Sequence, residues 1–251
     1  MRKKLIAANW KMYKTHMEAR AFVAAFLPLV HDKAHADIVI CPSFVCIPAM
    51  ADALRGTQIG VGGQDMFWEK EGAYTGEVSG TMLKAAGCSH VIIGHSERRQ
   101  YFGETDDTVN RKLKAALASE LQPIVCVGEV LKEREAGLTA KVLTRQCNIA
   151  FNDISGVEAK PLIVAYEPVW AIGTGKTATP EMAAEAHRLI RDQAAKAFGD
   201  ETAANLRILY GGSVKPENAK ALMSQIEIDG ALVGGASLHP KSFAAIIAAA
   251  E

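Results

Sequence analysis

Eight short apolar runs punctuate the chain: Leu5–Trp10, Ala36–Cys41, Gln58–Gly63, His90–Gly94, Pro123–Val127, Pro161–Tyr166, Asn205–Tyr210 and Ile228–Val233. They are continuously apolar rather than alternating, which suits parallel strands covered on their outer face. Helical patterns lie between most of them. Phe22, Phe26, Leu29 and Val30 fall at i, i+4, i+7 and i+8, as do Met182, Ala186, Leu189 and Ile190. The latter helix opens with Thr179 as N-cap, Pro180 at the first helical position and Glu181 in the first turn. Eight strand-then-helix units with no linker and no low-complexity segment predict an α/β protein with a single closed (β/α)₈ barrel domain over residues 1–251. A doubly wound open sheet is the structural alternative; strand count and the placement of polar residues favour the barrel.

Composition narrows the function classes. The 251 residues are 49% hydrophobic and 22% charged, enough to bury a full core. Lys+Arg and Asp+Glu both number 28, so no global field attracts nucleic acid or an anionic membrane, and neither is expected as a partner. Phosphate recognition must therefore be local. The five cysteines are scattered, with no Cys-x-x-Cys; Cys41, Cys88 and Cys126 lie in or beside strand-like runs. Buried, reduced thiols in a reducing compartment fit this better than a disulfide framework. The basic start is followed by too few apolar residues for a signal peptide, and no run approaches membrane-spanning length. A cytoplasmic location is expected.

The polar residues that interrupt this pattern sit at the carboxyl ends of strands, the face that carries the active site in barrels. Asn9 and Lys11, an amide and an ammonium two residues apart on an extended segment, can both face one cavity. His95 ends the fourth run at the start of a helix, where the positive dipole end lowers its pKa and favours a neutral imidazole. A plain capping residue explains that segment equally well. Glu97, in the first turn, reads more simply as a complement to the dipole. Glu167 closes the sixth run with a carboxylate, and the glycines of Tyr210-Gly-Gly-Ser213 and of Gly234-Gly235 let an anion approach the backbone after the seventh and eighth.

Other motifs fail on inspection. Gly173-Thr-Gly-Lys-Thr177 lacks the first glycine of a P-loop, that position being Trp170. Gly173-x-Gly175-x-x-Ala178 begins too far past the strand for a dinucleotide turn. His31 and His35 lie on a polar stretch without the glutamate of a zincin and read as surface. No metal site and no cofactor are expected.

Taken together, Asn9-Trp-Lys11, Gly94-His-Ser-Glu-Arg98, Ala165-Tyr-Glu-Pro-Val-Trp-Ala-Ile-Gly-Thr-Gly175, Tyr210-Gly-Gly-Ser213 and Gly234-Gly235 resemble the triosephosphate isomerase family in order and spacing along essentially the whole chain. That family is itself a standard example of pKa tuning and loop closure, so the roles that follow come from the resemblance. It implies interconversion of dihydroxyacetone phosphate and D-glyceraldehyde 3-phosphate through an enediolate, in glycolysis and gluconeogenesis. Glu167 would be the base, and neutral His95 would polarise and shuttle protons between the oxygens. Lys11 would balance anionic charge, Asn9 would assist at the oxyanion, and the backbone of Gly173, Ser213, Gly234 and Gly235 would hold the phosphate. Two departures are minor: Tyr74 stands where phenylalanine is commoner, and Val130 where a hydroxyl residue is frequent.

Rival functions fit less well. A Schiff-base aldolase needs a buried lysine where the sixth run ends in Glu167, and an inert phosphate-binding barrel leaves Glu167, His95 and Lys11 unexplained. The connection from Gln64 to Gly76 carries Met66, Phe67, Trp68 and Tyr74 and is too apolar for a free loop. It folds back on its own barrel or docks elsewhere. The resemblance implies a homodimer, with Thr75 reaching Asn9, Lys11 and His95 of the partner subunit.

The stretch after Glu167 reads as a lid. Pro168-Val-Trp170 restricts one end, Gly173 and Gly175 permit close backbone approach to a phosphate, and Lys176-Thr-Ala178 forms the far hinge. Closure would expel water and hold an enediolate against loss of its phosphate. Excising residues 172–176 is therefore expected to lower kcat by orders of magnitude and raise the share of turnovers ending in methylglyoxal and free phosphate. A shortened enzyme that is slower but equally faithful would leave the segment no guarding role.

Overall fold

The computed structural model describes residues 2–33, 35–171 and 177–251. Its sheet is a closed barrel in which neighbouring strands follow chain order, β1-β2-β3-β4-β5-β6-β7-β8, all parallel. The strands are β1 (Lys4–Asn9), β2 (Ala36–Cys41), β3 (Gly60–Gly63), β4 (His90–Ile93), β5 (Gln122–Val127), β6 (Ile163–Tyr166), β7 (Arg207–Tyr210) and β8 (Gly230–Val233). Each lies within two residues of the run expected from sequence. β1 ends at Asn9, but the Trp10 N–H still donates to the Cys41 carbonyl at 3.1 Å and its fully buried ring packs edge-on to Phe22 at 4.8 Å.

Helices cover the barrel: α1 (His16–Val30), α2 (Ile47–Ala53), α3 (Gly80–Ala85), α4 (Ser96–Tyr101), α5 (Asp106–Ala118), α6 (Leu131–Glu135), α7 (Thr139–Ala150), α8 (Pro180–Phe198), α9 (Asp200–Asn205), α10 (Pro216–Met223) and α11 (Pro240–Ala248). Thr179 caps α8 as expected, its hydroxyl accepting from the Met182 N–H at 3.2 Å. Phe22, Phe26 and Val30 bury one face of α1, but Leu29 is exposed at that helix's end. All five cysteines are free and buried. His31 is exposed, as read from the sequence; His35 is half-buried, with Nε2 2.9 Å from the Ile247 carbonyl. No described helix is long and apolar enough to cross a membrane.

Two apolar layers follow from the strand period of two. Outward residues such as Ile6, Ile40, Val125 and Val164 pack beneath the helices. Inward residues, among them Leu5, Ala7, Ile124, Cys126, Ile163, Ala165, Leu209 and Leu232, fill the barrel. The same alternation aims the next inward position of several strands into the mouth at the carboxyl ends. It falls on Asn9, Glu167, Gly211 and Gly234, all of which line the cavity there. Closure depends on Gly230, paired with Leu5, where φ is +139° and a β-carbon would lie 1.9 Å from the Leu5 carbonyl oxygen.

Two buried histidines away from that mouth make the fold acid-sensitive. His187 packs edge-on against Tyr166 and its Nδ1 lies 3.1 Å from the Glu227 carbonyl; burial drives its pKa down to about 3. At the amino-terminal end His90 contacts the Ser89 hydroxyl at 2.8 Å, and burial followed by the Arg207 charge holds it at about 4. Both values lie below the unfolded one, so their stabilisation is present above about pH 6.5 and lost as pH falls towards the folded values, on the order of 3 kcal/mol each by pH 4. Denaturant midpoints should therefore fall from pH 7 to pH 4.5, and less steeply in His187→Gln. An equally steep fall in that variant would remove His187 from the effect.

Candidate active site

The strand ends enclose a cavity of about 650 Å³ lined by Asn9, Lys11, His95, Glu167, Gly211, Gly212, Ser213, Gly234 and Gly235, among others. Asn9, Lys11, His95, Glu167, Ser213, Gly234 and Gly235, each singled out from the sequence, thus share one space. Gly173, with the rest of the central lid segment at 172–176, lies outside the described residues.

Glu167 is only 1% exposed. Burial of a carboxylate raises its pKa unless charges and donors hold the anion. Here Oε2 accepts the Ser96 backbone N–H at 2.8 Å, and Oε1 lies 2.9 Å from His95 Nε2 in a contact too poorly aligned to count as a directed hydrogen bond. Burial raises the Glu167 pKa; His95, the Ser96 N–H and Lys11 more than offset this and hold it below the ordinary carboxylate value. The base candidate is therefore charged at neutral pH.

His95 caps α4 with its own ring, Nδ1 accepting the Glu97 N–H at 3.2 Å. That bond keeps the proton of the neutral ring on Nε2, the atom facing Glu167. The expected lowering of its pKa is not what the site produces. Burial does lower it, but Glu167 and then Glu97 outweigh burial, and the His95 pKa lies above the ordinary histidine value. A carboxylate from β6, invisible in the local sequence, overrides the helix terminus.

Lys11 also departs from the sequence expectation. β1 ends at Asn9, and Lys11 takes a left-handed backbone, φ +51°, rather than an extended one. Asn9 Oδ1 stabilises this turn by accepting the Lys11 N–H at 3.0 Å, and Gln64 donates to the carbonyls of Lys11 and Cys41, both at 2.9 Å. The ammonium then reaches Glu97 Oε1 at 2.6 Å. Glu97 is thus a partner of Lys11 and not merely a complement to the helix. Ser96 and Gln64 leave no comparable signal in the sequence, since their partners are distant along the chain.

After β7 and β8, no described residue accepts a hydrogen bond from the backbone N–H of Ser213, Gly234 or Gly235. A β-carbon on Gly235 would meet nothing within 4 Å, and one on Gly234 only Lys11 Cε at 3.6 Å. Packing within the protein therefore does not demand glycine at residue 235; open backbone donors beside a cavity suit an anion. At the start of the lid, Glu129 is fully buried, accepting from the Tyr166 hydroxyl at 3.1 Å and from Trp170 Nε1 at 3.0 Å. This anchors the residues that follow Pro168.

The family model described as Triosephosphate isomerase matches residues 4–250. The chain is 60% identical to the triosephosphate isomerase of Solibacter usitatus over 98% of its own length and 99% of that protein. It is 57% identical to that of Citrifermentans bemidjiense over the full length of both, and 59% identical to that of Moorella thermoacetica over 98% of each.

The ring and carboxylate are electrostatically coupled, which a titration can read. In Glu167→Gln the main cause raising the His95 pKa is gone, so the ring nitrogens followed by NMR should titrate at lower pH than in the parent. An unchanged midpoint would mean the two groups are not in contact in solution.

Proposed function

This chain belongs to the triosephosphate isomerase family, and from that premise we propose how its residues divide the work of the reaction. The enzyme is an aldose–ketose isomerase that interconverts dihydroxyacetone phosphate and D-glyceraldehyde 3-phosphate, a step of glycolysis and gluconeogenesis. Glu167 takes the proton from the carbon beside the carbonyl, giving an enediolate, and returns it to the neighbouring carbon. His95 donates its Nε2 proton to the developing oxyanion and recovers a proton from the adjacent hydroxyl, so acid and base are both restored. Lys11 and the Asn9 side-chain amide stabilise the negative charge on the oxygens. The backbone N–H groups of Ser213, Gly234 and Gly235, with Gly173, bind the phosphate. Neither metal nor cofactor enters these steps.

The observation that carries this assignment is the fully buried Glu167 with His95 Nε2 at 2.9 Å, in a cavity also lined by backbone N–H groups that no described residue uses. Glu167 must leave the Ser96 N–H to meet a carbon acid. The substrate then separates it from His95, removing the main cause that raises the ring's pKa and favouring the neutral donor. Glu167→Asp retracts the carboxylate by one methylene, and a displacement of about 1 Å is expected to lower kcat on the order of 10²-fold with the fold intact. Near-normal turnover would exclude Glu167 as the base.

The working form is proposed to be a cytoplasmic homodimer. Met12, Phe44 and Phe102 are exposed apolar side chains gathered round one cavity, and an exposed apolar cluster suits a protein contact. The connection after β3 packs partly on its own chain, with Phe67 against Trp68 and Tyr74 and Arg111 over Trp68, but Tyr74 and Thr75 remain exposed at its tip. A second cavity of about 260 Å³, lined by Asn9, Lys11, Met12, Phe44, Glu97 and Phe102 with their neighbours, suits such a tip from a second copy. Sedimentation should find a dimer whose dissociated subunits lose most activity. A fully active monomer at assay concentration would refute the dimer as the working form.

A further inference from the structure

Gln146 presents a buried amide where the pattern of its helix calls for an apolar residue. The inward stripe of α7 is Val142, Leu143, Gln146, Cys147 and Ala150, and Gln146 is 5% exposed. A buried primary amide is unfavourable unless hydrogen-bonded, so its placement needs a partner. Both of its polar atoms find one on the same residue. Gly128 N–H donates to Gln146 Oε1 at 2.7 Å, and Gln146 Nε2 donates to the Gly128 carbonyl at 3.2 Å. Gly128 lies just past the end of β5, where the strand ladder no longer supplies partners.

That peptide is the surface on which the base rests. A β-carbon at Gly128 would lie 1.7 Å from the Glu167 carbonyl oxygen and 3.2 Å from its α-carbon, so the two backbones touch with no side chain between them. On either side, the Glu167 N–H donates to the Val127 carbonyl at 2.8 Å and the Val169 N–H to the Glu129 carbonyl at 3.1 Å. Residues 127–129 thus form a platform for residues 167–169, and its middle is fixed from outside the sheet by one side chain. From this geometry we infer that Gln146 is a positioning residue for Glu167, acting through Gly128.

The inference rests on Glu167 being the base. Gln146 and Gly128 also line a cavity of about 440 Å³, so solvent can reach the Gly128 peptide once the amide is removed. Water then satisfies the two groups without fixing them. Placement of the base is lost before the fold is.

Gln146→Met keeps the length of the side chain and removes both hydrogen bonds. Its kcat should fall on the order of 10- to 100-fold, the range expected for a displaced base, while substrate KM and inhibition by inorganic phosphate stay at parental values. The loss should shrink in a Glu167→Asp background, where the carboxylate is already displaced. Parental kcat in a folded Gln146→Met enzyme, or the same fold-loss in both backgrounds, would overturn the inference. Should Gln146→Met fail to fold, Gln146→Glu, which keeps the acceptor for the Gly128 N–H, carries the same comparison. If Glu167→Asp alone retains parental kcat, it is the base assignment that fails.

Discussion

A buried carboxylate, held in its charged form at the mouth of the barrel, is the constraint around which this fold is arranged. A buried charge is expensive unless oriented groups replace its water. Glu167 has three such groups, the Ser96 N–H, the His95 ring and the Lys11 ammonium, supplied by the ends of β4 and β1. No local segment could provide them. Ser96 is 71 residues from Glu167 in sequence; the pairing of β4 and β6 with β5 brings the two within 2.8 Å, and closure of the sheet adds Lys11 from β1.

Closure in turn depends on small residues where backbones must approach. Gly230 admits the Leu5 carbonyl between β8 and β1, and Gly128 admits that of Glu167. The inward filling of Leu5, Ile124, Ile163 and Leu209 leaves the mouth above it for polar groups. One alternation along each strand thus accounts both for the apolar plug and for the side chains that stand over it. Glu129, holding Tyr166 and Trp170, continues the same support into the segment beyond Glu167.

What the sequence revealed was whatever leaves a local pattern. Continuous apolar runs gave the strands, and the charged or glycine-rich residues that ended them gave Asn9, Lys11, His95, Glu167, Ser213, Gly234 and Gly235. The cap at Thr179 was legible because its partner lies three residues away. Pairings across the barrel were not. By sequence Glu97 is an ordinary first-turn acid, yet Lys11 pairs with it; by sequence His95 is lowered by a helix terminus, yet Glu167 reverses the shift. No residue type announces the left-handed turn at Lys11, which the Asn9 side chain stabilises. Gln146 leaves no signature in the sequence, because a single glutamine in an apolar stripe has no motif; its two bonds to Gly128 give it meaning.

The proposal that Glu167 transfers the carbon-bound proton is most directly tested by isotope exchange with solvent. Conversion of dihydroxyacetone phosphate in deuterated water should place solvent deuterium at the carbon adjacent to the new aldehyde. In Glu167→Gln, both turnover and incorporation should fall on the order of 10²–10⁴-fold, the range for loss of a general base. Incorporation at the parental rate in that variant would show that another group moves the proton.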